Sequence, residues 1–336
     1  MEHLQHITSV VASIAGVMVA GTLEPSTREV QIEHEISEGG SVHAFDMRIE
    51  LPDGFDPETD YAVVMFSGGS GTDIDWTRRG AYTLNGQTQQ LTISGEPTKN
   101  GERIARALLD AGYGVVRYST AFRDTDTRPE QYEMMRFPDT IGLARKAWDR
   151  AQRETGLPID RLFVLGHSLG ATRAALVTEK PAGYVVLAGS YMAPSSSSVR
   201  SIVMSRQSEE VEGEDYDGSG TIERWERAAK HAIEERVFRD NTPFTTQGET
   251  YAWPSDQLAT SGSPVLAVWG SLDSSSYQGP IMSHIFEDEG VSDRLTSVYF
   301  QGIGQHMGRS EGGRRGPIER EVTERIVDWL DSQTGM

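Results

Sequence analysis

The sequence predicts an α/β protein: a mostly parallel sheet flanked by helices, with an inserted, mainly helical cap. Three observations predict it. Short continuous apolar runs alternate with stretches whose apolar residues recur at helical spacing, the rhythm of strand–helix–strand units. The opening runs instead alternate apolar and polar residues, as in an antiparallel hairpin with one wet face. Residues 191–255 then break the rhythm: they open on the linker-like MAPSSSS and carry helical patterns but no convincing strand.

In chain order, residues 28–36 (REVQIEHEI) and 41–52 (SVHAFDMRIELP) form the hairpin around SEGG. Residues 60–71 (DYAVVMFSGGSG) are a buried parallel strand ending in glycines. Residues 101–120 read as helix, glycine stop, strand, and 139–156 as an amphipathic helix. Residues 160–179 (DRLFVLGHSLGATRAALVTE) read as strand, sharp turn, helix. Strands follow at 183–190, 263–273 and 295–302. Residues 316–330 close the chain as a helix, with Pro317 in its first turn and Ile318, Val322, Ile326 and Leu330 on one face. The core is thus expected over 22–190 and 256–336, with the cap at 191–255.

Composition narrows the partners. The 336 residues are 37% hydrophobic, enough for a large core. There is no cysteine, which excludes a disulfide scaffold, a cysteine zinc site and a thiol nucleophile. The formal charge of −19 argues against nucleic acid and anionic membrane surfaces, which need the opposite sign. Only Lys99, Lys146, Lys180 and Lys230 are lysines, and an acidic, lysine-poor surface suits a saline habitat. Residues 7–21 are uncharged and mostly apolar, too short for a comfortable membrane span, with small residues at the end. This predicts a signal peptide over 1–21, export, and no stable membrane anchor. The preceding MEHLQH lacks the usual basic residue, and the competing reading is an N-terminal helix of a cytoplasmic protein.

GHSLG, residues 166–170, follows the strand RLFVL and precedes a helix. Gly-x-Ser-x-Gly at such a junction is a nucleophile elbow. The turn is so tight that Gly166 and Gly170 must lack side chains, and it lifts the Ser168 hydroxyl clear of the sheet. A serine hydroxyl is inert at its own pKa and needs a base. No phosphate-binding loop, dinucleotide fingerprint or His-Glu-x-x-His helix is present, so no cofactor is expected for the main reaction.

On GHSLG and its setting, the chain resembles the α/β-hydrolase fold family, in its esterase, lipase and acyl-peptidase branch. The resemblance covers about residues 28–190 and 256–333. It implies the order serine, acid, histidine. Asp273 follows the strand PVLAVWG, where the family carries its acid, and His306 lies in QGIGQHMG, between the last strand and the last helix. His306 would take the Ser168 proton and pass it to the leaving group; Asp273 would hold the imidazole tautomer. His167 is read as structural. Two oxyanion N–H donors are implied, from Leu169 after the nucleophile and from Gly69 in FSGGSG, where many members carry His-Gly and this chain has Ser67-Gly68. A substrate contact from the loop around 121–123 is implied as well.

DYDGSGTIERWE, residues 215–226, resembles an EF-hand calcium loop. Its ligand positions fall on Asp215, Asp217, Ser219, Thr221 by its carbonyl, Glu223 and Glu226, with Gly220 at the turn. A structural calcium that stiffens the cap is expected; the alternative is a solvated acidic turn capped by Thr221. Three functional readings stand. The first is a carboxylic-ester hydrolase acting on a small-molecule ester or short acyl or peptidyl substrate. The second is a peptidase or amidase with the same triad. The third is a non-catalytic, calcium-dependent binding protein.

Overall fold

The computed structural model describes residues 25–37, 40–69, 71–84, 87–120, 135–194, 197–204, 211–236, 244–246 and 248–335. The signal-peptide expectation at 1–21 and the substrate contact at 121–123 lie outside them.

Eight strands form one sheet: β1 (Ser26–Ile36), β2 (Ser41–Leu51), β3 (Ala62–Phe66), β4 (Gly114–Tyr118), β5 (Leu162–His167), β6 (Gly183–Leu187), β7 (Val265–Gly270) and β8 (Leu295–Phe300). Their spatial order is 1-2-4-3-5-6-7-8. β1 and β2 pair antiparallel, as does β2 with β4; all other pairs are parallel. The hairpin is antiparallel because a short turn joins its strands. The later strands run parallel because helices carry the chain back.

The helices are α1 (Asn100–Asp110), α2 (Phe137–Thr155), α3 (Leu169–Val177), α4 (Ser197–Met204), α5 (Arg224–Glu234), α6 (Pro254–Ser261), α7 (Gln278–Asp288) and α8 (Arg320–Thr334). Period-two alternation sends Val63 and Met65 to the layer of α1 and α8, with Ile104, Leu108, Val322 and Leu330. Val64 and Phe66 go to the other layer, with α2, α3, α6 and α7. Central strands covered on both faces must be apolar throughout, and β3, β4, β5, β6 and β7 are buried at every position. Among the described residues, no helix is long and apolar enough to cross a membrane.

The cap lies in the crossover from β6 to β7, two neighbouring strands. Two expectations need correction. The 191–255 stretch does contain strands: Phe244–Thr246 pairs with Glu249–Tyr251 around Gly248 at φ 87°. Three residues a side are too few to show a period, and the Phe244–Tyr251 cross-strand ring pair fixes the register. Pro317 is not in a helical turn. It sits in the strand Arg314–Ile318, paired with Gly308–Glu311, and α8 begins only at Arg320. A short two-stranded ribbon tolerates a proline because it has free edges.

Candidate active site

Ser168 joins β5 to α3 with φ 51° and ψ −122°, a conformation that side-chain-bearing residues rarely hold. The surroundings impose it. A Cβ on Gly166 would lie 2.4 Å from the Ala171 Cα, and one on Gly170 would lie 2.1 Å from the Phe66 carbonyl oxygen. Both glycines are therefore required by close backbone approach, as the motif predicted. The Ser168 N–H donates to the Leu187 carbonyl at 2.9 Å, and its carbonyl accepts from the Ser190 N–H at 3.2 Å. The turn is thus pinned to the end of β6. The hydroxyl itself is half-buried.

The glycine loop after β3 lies against this turn. A Cβ on Gly68 would stand 3.0 Å from the Ser168 Cβ, so only glycine lets the loop come so close. Gly69 follows at φ 71°. The Thr72 hydroxyl donates to the Gly68 carbonyl at 2.7 Å, and the Thr72 N–H donates to the Thr120 hydroxyl at 2.9 Å. Leu169 opens α3, so its N–H has no carbonyl partner within the helix.

The other two expected triad members sit on the expected loops, yet the three are not joined. Among the described residues, neither His306 nor Asp273 hydrogen-bonds to Ser168 or to the other. The Ser168 hydroxyl lies 2.9 Å from that of Ser190 and accepts from the Gln305 amide at 3.2 Å. The His306 ring instead lies 5.6 Å from the His167 ring. Its Nε2 accepts from the Arg315 guanidinium, and its carbonyl accepts from the Asn100 amide at 3.0 Å. That pocket, shared with Trp76 and Gly68, has an internal volume of about 20 Å³, room for about one water. Burial drives the His306 pKa down to about 2, with repulsion from His167, Arg78 and Arg315 adding to it.

His167 is structural, and its part is specific: its Nε2–H donates to the Gln305 carbonyl at 2.8 Å, holding the residue beside His306. Burial lowers its pKa to about 4. Asp273 is buried and accepts from the Ser275 N–H at 3.0 Å and the Ser275 hydroxyl at 2.5 Å. Burial raises its pKa, and the two Ser275 bonds offset part of that rise. It faces a cavity of about 460 Å³ shared with Glu223 and Trp225 of the cap. A separate cavity of about 330 Å³ is lined by Ser190 and Gln305, the two partners of the nucleophile hydroxyl, and by Tyr191, Trp253 and Tyr277.

Sequence reasoning missed Gln305, Ser190 and Arg315. Gln305 could have been suspected, because adjacent loop residues point to opposite sides and a motif cannot say which faces the serine.

The acidic loop gathers three of its six expected ligands. Oxygens of Asp215, Asp217 and Glu226 lie within 4.8 Å of one another. Gly218 and Gly220 take φ 73° and 76°. Asp215 accepts from the N–H groups of Ser219 and Gly220 at 3.0 and 2.8 Å, which curls the loop inward. The Ser219 hydroxyl donates to the Thr221 carbonyl at 3.0 Å. Glu226 is fully buried and accepts from Glu223 and Tyr216 N–H groups, both at 2.7 Å, capping α5. Glu223 precedes α5 as its N-cap. One Asp217 carboxylate oxygen is buried without a hydrogen-bond partner. The hard, oxygen-only donor set fits calcium. Trp225 stacks on Tyr299 of β8, with ring centroids 5.2 Å apart, and so fastens the loop to the sheet.

No protein-family model matches the chain, and no curated protein matches it in sequence. Solved structures do match in fold. Carboxyl esterase 2 of Tuber melanosporum superposes with a TM-score of 0.53 at 13% identity, covering 95% of this chain and 89% of that one. An esterase of Pyrobaculum calidifontis gives 0.50 at 17% identity, covering 92% and 84%. A thermostable esterase of Pseudomonas putida gives 0.50 at 17%, covering 94% and 82%. The chain has the α/β-hydrolase fold that these esterases share.

Proposed function

We propose that the chain is a serine hydrolase of carboxylic esters that forms an acyl-enzyme on Ser168. One observation carries this reading: a serine held at positive φ between a central strand and its helix, with a glycine loop packed on it. Such strain persists only where the surroundings over-determine it, and a half-buried hydroxyl at this junction serves attack on a carbonyl. Leu169 and Gly69 would supply N–H groups to the developing oxyanion.

In the proposed reaction His306 is the general base and Asp273 orients it. The imidazole must exchange places with the Gln305 amide, because that amide now holds the Ser168 hydroxyl. The substrate class is a small-molecule ester seated over Ser190 and Gln305; a peptide or amide would use the same groups.

A second reading, a non-catalytic binding protein on this fold, is favoured by the same separation of His306 and Asp273 from Ser168. Labelling by a fluorophosphonate separates the two. The hydrolase labels, loses labelling in Ser168→Ala, and cleaves p-nitrophenyl esters faster than peptide anilides. Wild type without labelling or turnover supports the binding protein.

A structural calcium on Asp215, Asp217, Ser219, Thr221, Glu223 and Glu226 is proposed alongside. The support is the convergence of three carboxylates and the unpartnered oxygen of Asp217. When bound, the ion would neutralise carboxylates that now repel one another at short range. Calorimetry should show calcium heat in wild type and none in Asp215→Ala or Glu226→Ala; equal heats would end the proposal. Export is proposed from residues 7–21, and N-terminal sequencing of the secreted protein would test it.

A further inference from the structure

Arg173 lies one turn beyond Leu169 on α3, and it is fully buried. No carboxylate among the described residues pairs with it. A buried cation without a counter-charge is costly and needs a reason. Two of its three guanidinium nitrogens reach three carbonyls, and Nη1 is buried without a hydrogen-bond partner among the described residues. Nη2 donates to the Ser67 carbonyl at 3.0 Å and to the Gly69 carbonyl. Nε reaches the Leu169 carbonyl at 3.4 Å. Beside it lies the buried Tyr118 hydroxyl.

These carbonyls belong to the oxyanion loop and to the residue after the nucleophile. A peptide unit is planar and trans, so fixing a C=O also fixes the N–H of the next residue, pointing the opposite way. Arg173 therefore fixes the planes before Gly68 and after Gly69. Thr72 fixes the plane between them, the one that carries the Gly69 N–H. Through Leu169 the same guanidinium ties the loop to the first turn of α3. Arg173 thus braces the planes on either side of the one that carries the Gly69 N–H and ties them to α3, while Thr72 holds that plane itself.

We propose that Arg173 is a positioning residue for the oxyanion hole: it clamps the 67–69 loop to α3 so that the Gly69 and Leu169 N–H groups converge on one oxyanion. This rests on the serine hydrolase reading above. The buried positive charge behind the loop adds electrostatic stabilisation that no solvent screens. Lysine cannot replace it, because an ammonium lacks the planar fork that reaches three carbonyls at once.

The test uses the full chain as R173M and R173K, with two readouts. The first is amide hydrogen exchange of peptide 66–72, which needs no activity. Exchange there should rise at least tenfold in R173M while the strands β5 and β6 stay protected. The second is ester hydrolysis. Loss of a well-placed donor costs roughly 10² to 10³ in kcat, and KM should stay within about threefold. R173K should recover less than about tenfold of that loss. Unchanged exchange at 66–72 overturns the clamp, and kcat within about threefold of wild type overturns its catalytic role. Should R173M not fold, R173K carries both readouts. A wild type that neither hydrolyses esters nor labels with fluorophosphonate fails the hydrolase reading instead, and the exchange result still decides the clamp.

Discussion

The backbone at Ser168 and the side chains of Asp273 and His306 are held by different kinds of force. At Ser168 the backbone itself is the constraint: glycines at 166 and 170 meet other backbone at about 2 Å from where a Cβ would stand, and nothing can rotate. The loops at 271–276 and 303–307 are tied backbone to backbone as well, Leu272 N–H to the Ile303 carbonyl at 2.9 Å, but the side-chain directions of Asp273 and His306 are set by side-chain hydrogen bonding. Asp273 is satisfied by Ser275, and His306 by Arg315. Such partners are worth about 1 kcal/mol each and can be exchanged for others. The turn at Ser168 is thus built in, whereas the directions of Asp273 and His306 are a matter of which local partner wins.

The sharpest way to break this contrast is to remove the imidazole. His306→Ala should lower ester turnover by on the order of 10⁴-fold or more, about 5 kcal/mol in barrier, if His306 crosses to Ser168 during the reaction. Steady-state kinetics on p-nitrophenyl butyrate, with near-UV circular dichroism to confirm the fold, checks it. A loss under about tenfold would mean that the imidazole never leaves its pocket with His167.

That pocket also sets a pH dependence. Burial holds His167 at about 4 and His306 at about 2. Unfolding lets each return toward 6.5 and bind a proton, so the unfolded state gains protons as pH falls. Both folded values are depressed, so their contribution is present above about pH 6.5 and is lost below it. It falls at roughly 1.4 kcal/mol per pH unit for each histidine, down to about pH 4. The raised carboxyl of Asp273 acts in the opposite sense. Urea unfolding from pH 7 to pH 4 should show the slope, and His167→Gln should remove part of it. A flat profile would mean that the rings are accessible to water.

What was legible follows the same division. The succession of strands and helices and the sharp turn at Ser168 come from burial and from backbone sterics, which period and glycine spacing record directly. The Phe244–Thr246 hairpin and the strand around Pro317 were not legible, because elements of three to five residues carry too little periodicity to outweigh local propensity. In the site, Asp273 and His306 could be placed on their loops by the chain order that the family resemblance implies. Their side-chain directions could not, since the His306 ring depends on Arg315 from the strand Arg314–Ile318 and the Asp273 carboxylate on Ser275 two residues on. Arg173 escaped notice for a similar reason: four residues past a nucleophile's neighbour, an arginine looks like an ordinary helix surface position until the β3 loop is seen on top of it.

The smallest expected effect probes the boundary between the two regions. Gln305 stands beside His306 in sequence and occupies the face of Ser168 that the imidazole needs, with its carbonyl held by His167. If its amide competes with the imidazole, Gln305→Ala should raise kcat. The gain is bounded by one neutral hydrogen bond of about 0.5–1.5 kcal/mol, so it should lie between about twofold and tenfold. KM should change little unless the amide also touches the substrate. Conversely, if Gln305 holds the hydroxyl for attack, the same substitution lowers kcat, and the site would be built around a serine–glutamine contact with His306 supporting it through the backbone. The sign of a modest change therefore decides which of two neighbouring side chains faces Ser168 in the proposed reaction.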